Sequence, residues 1–378
     1  MLLVSAPVLG VPEKAALSKV IDSGWLTMGE RVRAFEEAFA AVHGADDCVA
    51  VASCTAALHL ILHGLGIGPG DEVLVPSLTF VATVNAVLYV GAKPIFVDIE
   101  SDDVPLMSVE DAEASCTSRT RAVILVHFAG YLASKQEWQT FASVRGLYII
   151  EDAAHAPGLK EVGTYGAAAA FSFYGNKNMT TAEGGVVITR DPGLREKIRL
   201  ARGHGMTTGT HQRLNSRTAQ YDVTMLGFNY RMDEMRAAIG LVQLRNLQEW
   251  NEVRRILVAL YRRLIAMRCP AISMPFVEAR TSAYHIMPIL LPRGVNRQDV
   301  IDQLRAQGIQ TTIHYPPVHH MTFYRELFPG VHLPRTEAFA DRELTIPLHP
   351  QITSPVAEAV VDALASALNS CARAGAAA

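Results

Sequence analysis

The sequence of 378 residues has no surplus of either charge. It contains 34 Lys and Arg against 37 Asp and Glu, which gives a formal net charge of −3, and it has no dense block of basic residues. A nucleic-acid backbone binds to a positively charged face, so this balance excludes nucleic acid as an expected partner.

Long apolar runs are missing as well. No uninterrupted run reaches the roughly 20 residues that a helix needs to cross a bilayer. The apolar stretch Met1–Val11 has no basic leader, contains Pro7, and is followed by Glu13 and Lys14, which is unlike a cleaved signal. We therefore expect no membrane partner.

Cysteine pairs with the spacing of metal ligands are also absent. The adjacent residues His319 and His320 do not share a helix or strand face, so we predict no metal site there either. The five cysteines are odd in number, widely spaced and never form a Cys-x-x-Cys pair: Cys48, Cys54, Cys116, Cys269 and Cys371. This pattern is typical of reduced thiols in a cytoplasmic protein.

What is present is an alternation of helical patterns and short apolar runs up to about residue 250. Most of the runs are apolar throughout, as in parallel strands covered on both faces, and the segments between them are long enough for crossover helices. The sequence therefore predicts an α/β protein with a doubly wound, mostly parallel sheet. The seven predicted strands are Val49–Ala52, Glu72–Val75, Pro94–Val97, Ala122–Val126, Leu147–Ile150, Ala169–Phe173 and Val186–Thr189.

The length predicts a second, smaller domain, because single cores stop growing below this size. A long helical stretch, Asp233–Met267, is predicted to connect the two parts. Beyond it the pattern changes to short strands, helices and turns. We assign residues 1–250 to a large domain and 251–378 to a small α+β domain. The predicted elements of the small domain are strands Ile286–Leu291 and Thr311–Ile313 and helices Val300–Gln307 and Pro355–Leu368.

Two ionisable residues in the segment Leu147–Gly185 have unusually apolar surroundings. Asp152 follows a buried strand, at the sheet edge where ligands bind in open α/β folds, although an aspartate there also suits a helix N-cap. Lys177 lies in a small polar loop after the next strand. Most lysines are solvated surface charges, but one held beside buried strands can have a lowered pKa and form a Schiff base.

A third feature is the segment Ser53–Ala57, between the first strand and a helix. Small residues with free backbone N–H groups at a helix N-terminus can bind an anion such as phosphate, and Ser and Thr are equally the usual helix caps. A strand-end aspartate, a loop lysine and such a helix start are together the three groups that bind pyridoxal phosphate.

With these residues in place, the chain resembles the sugar aminotransferases of the DegT/DnrJ/StrS family. The resemblance covers nearly the whole length. Its matching segments are GWLTMGERVRAFEEAFAAVHG, VASCTAALHLIL, DEVLVPSLTFVATVNAV, KPIFVDI, AVILVHFAG, IIEDAAHAPG, FSFYGNKNMTTAEGG, LGFNYRMDEMRAAIGLVQL and IHYPPVHHMTFYRE. It implies the type I fold of pyridoxal-phosphate-dependent transferases, and pyridoxal 5′-phosphate as cofactor, with pyridoxamine 5′-phosphate as its aminated form.

The resemblance also implies roles for the matching residues. Lys177 would form the Schiff base with the cofactor, and Asp152 would pair with its pyridine nitrogen. Asn229 would reach the phosphate of a neighbouring subunit, which implies a homodimer with shared sites. The other implied contacts are Thr55, Ala56 and Ser172 to the phosphate, Phe80 stacked on the ring, His155 near the ring hydroxyl, and Tyr315 and His319 to the substrate.

The sequence departs from the family pattern at two places, and one of them is Gly175-Asn176, where many members have Pro-Thr or similar before Lys-Asn. Cys54 stands where a glycine is common, and its small side chain should spare the backbone donors. Lys177 itself argues against the dehydratase branch of the family, which carries histidine there.

The amino donor implied by the resemblance is glutamate, and the acceptor is a nucleotide-linked ketosugar. TTAEGG, after Lys177, favours C4 of a 4-keto-6-deoxyhexose over C3, while an aminocyclitol precursor of the scyllo-inosose type, a sugar dehydratase and a non-catalytic regulator stay open as alternatives. The polar insertion Met206–Tyr221 offers His211, Arg213 and Arg217 either to a diphosphate or to solvent.

Overall fold

A computed structural model describes residues 1–209, 220–276 and 280–377 of the chain. The elements up to residue 209 are α1 (Val11–Ser23), α2 (Glu30–Val42), β1 (Cys48–Val51), α3 (Cys54–Gly64), β2 (Glu72–Pro76), α4 (Val81–Tyr89), β3 (Lys93–Val97), α5 (Val109–Ser115), β4 (Thr120–Val126), a 3₁₀ turn (Phe128–Gly130), α6 (Lys135–Arg145), β5 (Tyr148–Asp152), β6 (Ala168–Ser172), β7 (Gly185–Ile188) and α7 (Pro192–Ala201). The later elements are α8 (Glu234–Arg268), β8 (Met287–Leu290), α9 (Arg297–Ala306), a 3₁₀ turn (Val318–His320), α10 (Thr322–Leu327), α11 (Pro334–Arg342), β9 (Glu343–Ile346) and α12 (Ser354–Ala377).

Seven strands form one sheet in the order β1-β7-β6-β5-β4-β2-β3. Strands β2 to β6 pair in parallel, and β7 runs antiparallel to both of its neighbours, β1 and β6. The mostly parallel sheet predicted from the sequence is confirmed, and each predicted strand is present with slightly shifted ends.

Helices cover both faces of the sheet. On β2, Val73 and Val75 belong to an apolar cluster with α3, α4 and α7, whereas Leu74 belongs to a cluster with α5 and α6. Successive side chains of a strand point to opposite faces, so a strand covered on both sides is apolar at every position. This arrangement explains the unbroken apolar runs in the sequence.

The topology brings several loops to one edge of the sheet. The strands β2, β4, β5 and β6 are parallel and end at this edge, while the antiparallel β7 begins there. Strand β1 is antiparallel to β7, so it also ends there and delivers the N-terminus of α3 to the same place. In open α/β sheets this carboxyl edge is where ligands bind.

The long helix α8 connects the sheet to a second apolar core. Its first half contributes Ala237 and Leu247 to a cluster with α2, and its second half contributes Leu257 and Tyr261 to a cluster with β8, β9 and α12. The predicted domain boundary at residues 250 and 251 lies inside this helix.

The C-terminal sheet is smaller than the sequence suggested. Strands β8 and β9 form an antiparallel pair, and Thr312 makes a single bridge to Thr345. The predicted strand Thr311–Ile313 is therefore wrong. It does not extend because the next N–H, that of His314, donates to the side chain of Glu343 at 2.8 Å instead of to a neighbouring backbone. Within the residues described, none of the helices is both long enough and apolar enough to cross a membrane.

Candidate active site at the carboxyl edge of the sheet

Lys177 lies in the loop between β6 and β7. The loop turns back at this point, because the N–H of Lys177 donates to the carbonyl oxygen of Tyr174 at 3.0 Å. The side chain is half-buried, and burial lowers the pKa of its amine to about 8 against the opposing charge of Asp152. A lysine with this pKa supplies neutral, nucleophilic amine near neutral pH, unlike a solvated surface lysine.

The lysine loop is held in place by its buried neighbour, Asn178. The side-chain amide of Asn178 donates to Oδ1 of Asn251 on α8 at 2.8 Å and to the carbonyl oxygen of Ala283 at 2.7 Å. Its Oδ1 lies 2.8 Å from Nδ1 of His285. Two separate parts of the chain, the long helix α8 and the segment 283–285, therefore hold the loop that carries Lys177.

Asp152 is buried at the end of β5. Its Oδ2 accepts a hydrogen bond from Oγ1 of Thr83 at 2.7 Å, and its Oδ1 accepts one from the N–H of Ala154 at 3.2 Å. Burial raises the pKa of the carboxyl group, while these two hydrogen bonds and the charge of Lys177 lower it. No helix begins at Asp152, since turn residues follow it, so the helix-cap alternative is wrong.

His155 and Tyr315 meet beside these groups. Nε2 of the buried His155 lies 3.1 Å from the hydroxyl of Tyr315, while its Nδ1 is buried with no hydrogen-bond partner among the described residues. Burial, followed by the charge of Lys177, lowers the pKa of His155 well below its usual range. His155 is therefore neutral at physiological pH, with one ring nitrogen available to a ligand.

The N-terminus of α3 has the features of both predicted alternatives, a helix cap and free backbone donors. Oγ of Ser53 caps the helix by accepting from the N–H of Ala56 at 3.1 Å. The N–H groups of Cys54 and Thr55 have no such partner in the part of the chain that the structure describes. The cap therefore leaves two donors of the first turn for an anion, and the N–H of Ala56 is already engaged.

Gly185 lets this helix start approach β7. A Cβ atom at Gly185 would lie 2.6 Å from the carbonyl carbon of Ser53 and 2.7 Å from the nitrogen of Cys54. Any other residue would push the strand and the helix start apart. Ser172 pairs with Gly185 across the sheet and is buried, which brings it to the same edge.

Phe80 and Asn229 stand at the open side of this region. Phe80 precedes α4, is 60% exposed, and its ring centroid lies 6.2 Å from that of Tyr315. Asn229 is exposed and bridges to Gly203 through its backbone. Neither side chain is committed to a core.

His319 is placed differently from the other predicted residues. It is 2% exposed, and both of its ring nitrogens are engaged, Nδ1 with Oγ of Ser77 at 2.7 Å and Nε2 with Oε1 of Glu337 at 3.0 Å. A substrate contact through His319 would have to replace one of these two bonds.

The adjacent His320 also approaches Glu337, with its Nε2 3.6 Å from Oε1. Adjacent residues do not share a face of an α-helix or a strand, but these two histidines lie in a 3₁₀ turn and both approach Glu337. Ligand atoms of His319, His320 and Glu337 all lie within 4.8 Å of one another. That this group binds no metal stays a prediction.

Sequence reasoning missed several residues of the site. Thr83, Asn251, His285 and His314 reach it from distant parts of the chain. Thr83 and His314 lie inside the recognised segments DEVLVPSLTFVATVNAV and IHYPPVHHMTFYRE, but no role was predicted for either of them. Of the polar insertion, His211, Arg213 and Arg217 lie outside the described residues.

A lysine with a lowered pKa, a buried strand-end carboxylate and free donors at a helix start define a class of protein, the pyridoxal-phosphate type of α/β enzyme. The comparisons with known proteins agree. Residues 8–365 match the model of the DegT/DnrJ/EryC1/StrS aminotransferase family. The chain belongs to this family, which confirms the predicted family, fold class and enzyme class.

Solved structures show the same relationship. PseC of Helicobacter pylori, an aminotransferase involved in pseudoaminic acid biosynthesis, is 28% identical with a TM-score of 0.91, over 98% of this chain and 99% of its own. DesV of S. venezuelae, in complex with a ketimine intermediate, is 38% identical with a TM-score of 0.85, over 94% and 93%. Spr1654 of Streptococcus pneumoniae, in its PMP form, is 25% identical with a TM-score of 0.89, over 97% and 99%.

Proposed function

We propose that this aminotransferase moves an amino group from glutamate to a nucleotide-linked keto-deoxysugar, at C4 of a 4-keto-6-deoxyhexose. The observation that carries the transfer chemistry is the half-buried Lys177, whose pKa is lowered to about 8 close to the buried carboxylate of Asp152. The sugar acceptor is supported by the family and by relatives such as PseC, whose reaction serves the synthesis of pseudoaminic acid. The C4 position is supported by the TTAEGG segment alone.

The cofactor is pyridoxal 5′-phosphate, and the residues of the site fit it. Nδ1 of His155, which has no partner in the described parts of the chain, offers a hydrogen bond to a polar ring substituent. The free N–H groups of Cys54 and Thr55 suit a phosphate, and the close approach at Gly185 shapes their position. When bound, this cofactor supplies an electron sink for the charge that develops on the amino donor's α-carbon.

The chain's own residues then have distinct tasks. Lys177 Nζ would hold the cofactor covalently, and as a free amine it would move a proton from the α-carbon of the amino donor. Asp152 would pair with the ring nitrogen of the cofactor and keep it protonated, and that positive charge would stabilise the negative charge that develops in the reaction. Thr83 and the N–H of Ala154 hold the Asp152 carboxylate in its ionised form by donating to it.

The remaining contacts belong to the same proposal. Thr55, Ala56 and Ser172 line the phosphate position, and Phe80 stacks on the cofactor ring. Tyr315 and His319 contact the substrate. We also propose a homodimer in the cytoplasm in which Asn229, exposed in the single chain, reaches the phosphate of the partner's site.

The test is a panel of dTDP-, UDP- and GDP-linked 4-ketosugars, with a 3-ketosugar and a scyllo-inosose-type ketone, each assayed with glutamate. Mass spectrometry of the product should find an amino sugar from one 4-ketosugar, and no product with the Lys177→Ala variant. Loss of water without amination would make the protein a dehydratase. No turnover, together with no absorbance band of bound cofactor, would make it a regulator.

The homodimer has its own experiment. Lys177→Ala and Asn229→Ala chains should each be inactive alone. Mixed under conditions that allow subunit exchange, they should regain activity, because one kind of hybrid site has both residues intact. Absence of any recovery in heterodimers confirmed by native mass spectrometry would contradict shared sites.

A further inference from the structure

A fully buried carboxylate lies behind the active site on β9. Glu343 and Thr345 are two residues apart on this strand, so both side chains lie on the face that meets the segment 312–315. Oε2 of Glu343 accepts from the N–H of His314 at 2.8 Å, and Oε1 lies 2.6 Å from Oγ1 of Thr345. Oγ1 of Thr345 in turn lies 2.9 Å from Nδ1 of His314. The three side chains form one connected row.

The far end of this row is the other ring nitrogen of His314. Nε2 of His314 makes no hydrogen bond within the described residues, and the charge of Lys177 acts on the ring. The next residue, Tyr315, contacts His155 at 3.1 Å. His314 is therefore the point where the row from β9 meets the groups of the active site.

The charges around the row favour neutral groups. Burial raises the pKa of Glu343 to about 8, opposed by the hydrogen bonds from Thr345 and His314 and the charge of Arg297. Arg297 itself donates to the backbone oxygens of Ala340 and Glu343, and no basic group forms an ion pair with the Glu343 carboxylate in the described part of the chain. Burial, followed by Lys177, lowers the pKa of His314 to about 3.

Among the other titratable groups that face this row, Tyr315 is next to His314 in the chain and His285 lies just before β8. Tyr315 is influenced by Glu343 and Asp152, and burial raises its pKa. The imidazole of His285 is influenced by both His155 and His314, and burial lowers its pKa well below the usual range. Neither of these groups changes charge near neutral pH, so Glu343 and Lys177 are the groups here that do.

We propose that Glu343, acting through Thr345, determines which ring nitrogen of His314 carries the proton, and so whether Nε2 donates or accepts a hydrogen bond in the substrate cleft. The proposal rests on the proposed function, since it assigns Glu343 and Thr345 as positioning residues for a substrate contact in the same site.

The protons of the row balance in both states. With Glu343 ionised, the Thr345 hydroxyl donates to Oε1 and accepts from Nδ1–H of His314, so Nε2 has a free lone pair. With Glu343 protonated, Oε1–H donates to Thr345, Thr345 donates to Nδ1, and the proton of His314 is on Nε2. The change between the two states removes the proton from Nε2, moves the Thr345 proton to Nδ1 and moves the Glu343 proton to Thr345. The negative charge then lies on Glu343, and His314 is neutral in both states.

The direct test is nuclear magnetic resonance of the holoenzyme with ¹⁵N-labelled histidine, in which the His314→Gln variant identifies the His314 signals. Between about pH 6.5 and about pH 9.5, the wild-type signals should change from the Nε2–H to the Nδ1–H tautomer as Glu343 ionises. The Glu343→Gln variant should show one tautomer over the whole range. A wild-type ring whose tautomer does not change with pH would overturn the proposal.

Two variants of Thr345 separate the relay from a structural role. Thr345→Val keeps the shape and removes the hydroxyl, so it should lose the pH-dependent change and about 10- to 100-fold of turnover. Thr345→Ser keeps the hydroxyl and should retain both. Equal loss in the two variants would show that packing, and not the hydroxyl, matters.

The outcomes also separate this proposal from the proposed function. The resonance experiment needs no sugar substrate. A tautomer change without amination of any ketosugar would therefore support the role of Glu343 and Thr345 and reject the proposed sugar substrate. Amination of a ketosugar by a protein whose His314 tautomer does not change with pH would support the proposed function and reject the role of Glu343. The wild-type titration needs no variant, so the proposal is tested even where a substitution prevents folding.

Discussion

Oγ1 of Thr83, in the first turn of α4, donates a 2.7 Å hydrogen bond to Oδ2 of Asp152 on β5, and both residues are buried. The same hydroxyl lies 2.7 Å from Oγ1 of Thr79, so Thr83 can accept from Thr79 while it donates to the carboxylate. The bond opposes the effect of burial, which raises the pKa of Asp152. Thr83 thus helps to keep Asp152 ionised, and the proposed function of the cofactor as an electron sink depends on that charge.

Thr83→Val is expected to reduce turnover. Loss of a hydrogen bond to a buried charged group is worth about 2 kcal/mol, or roughly 30-fold. The pKa of Asp152 should rise, so the acid limb of the pH–rate profile should move to higher pH. Thr83→Ser is the matched control and should behave like the wild type. Unchanged profiles in the Val variant would show that Asp152 stays ionised without this bond.

The pKa of Lys177 can be tested on the apoprotein. Only the neutral amine reacts with the cofactor, so the rate of covalent attachment should rise with pH and level off above about 8, well below the range of an ordinary lysine. The charge of Asp152 raises the pKa of Lys177, so Asp152→Asn should move the inflection to lower pH. The rate of attachment is measured from the absorbance of the bound cofactor.

The exposed Lys160 offers a control for this experiment, because Lys160→Ala leaves the active-site amine in place. The inflection in this variant should match that of the wild type. An inflection near that of a free lysine in the wild type would contradict the effect of burial on Lys177.

The sheet and the central residues of the site were predictable because their signals are local. Each strand of the large sheet is an apolar run, and Asp152 and Lys177 lie within one segment whose apolar surroundings mark them as unusual. The direction of β7 was not predictable, since an apolar run such as Val186–Thr189 is compatible with both a parallel and an antiparallel strand.

The supporting residues could not be predicted from one sequence. Thr83 is 69 positions from Asp152, and His285 is 107 positions from Asn178, so only the folded chain brings these pairs together. Glu343 directly follows the charged residues Asp341 and Arg342, and nothing in this local pattern shows that Glu343 is fully buried or that it faces His314. Such residues are recognised from contacts and not from local pattern.

Gly185→Ala is expected to weaken cofactor binding. The new Cβ would lie 2.6 Å from backbone atoms of Ser53, so β7 or the start of α3 must shift. Overpacking of this kind costs about 1–3 kcal/mol, and the displaced N–H groups of Cys54 and Thr55 would bind phosphate less well. Titration of the apoprotein with cofactor gives the affinity.

Gly175→Ala is the matched control for Gly185→Ala. Gly175 lies in the loop that leads to β7, and no atom in the described part of the chain would lie within 4 Å of a Cβ there. Its affinity for the cofactor should therefore equal that of the wild type. Similar losses in the two variants would show that the approach of β7 to α3 does not shape the phosphate position.

The last prediction concerns the two asparagines on either side of Lys177. Asn178→Ala removes a buried amide, so Oδ1 of Asn251, Nδ1 of His285 and the carbonyl oxygen of Ala283 lose the partner that Asn178 supplies. Each unsatisfied buried group costs about 1–3 kcal/mol, so we expect a clear loss of unfolding free energy, measured by denaturant titration of the holoenzyme. Asn176→Ala is the control: its side-chain oxygen is buried and has no hydrogen-bond partner within the described residues, so its removal should cost little or increase stability. An equal cost for both variants would mean that the bonds of Asn178 do not anchor the lysine loop.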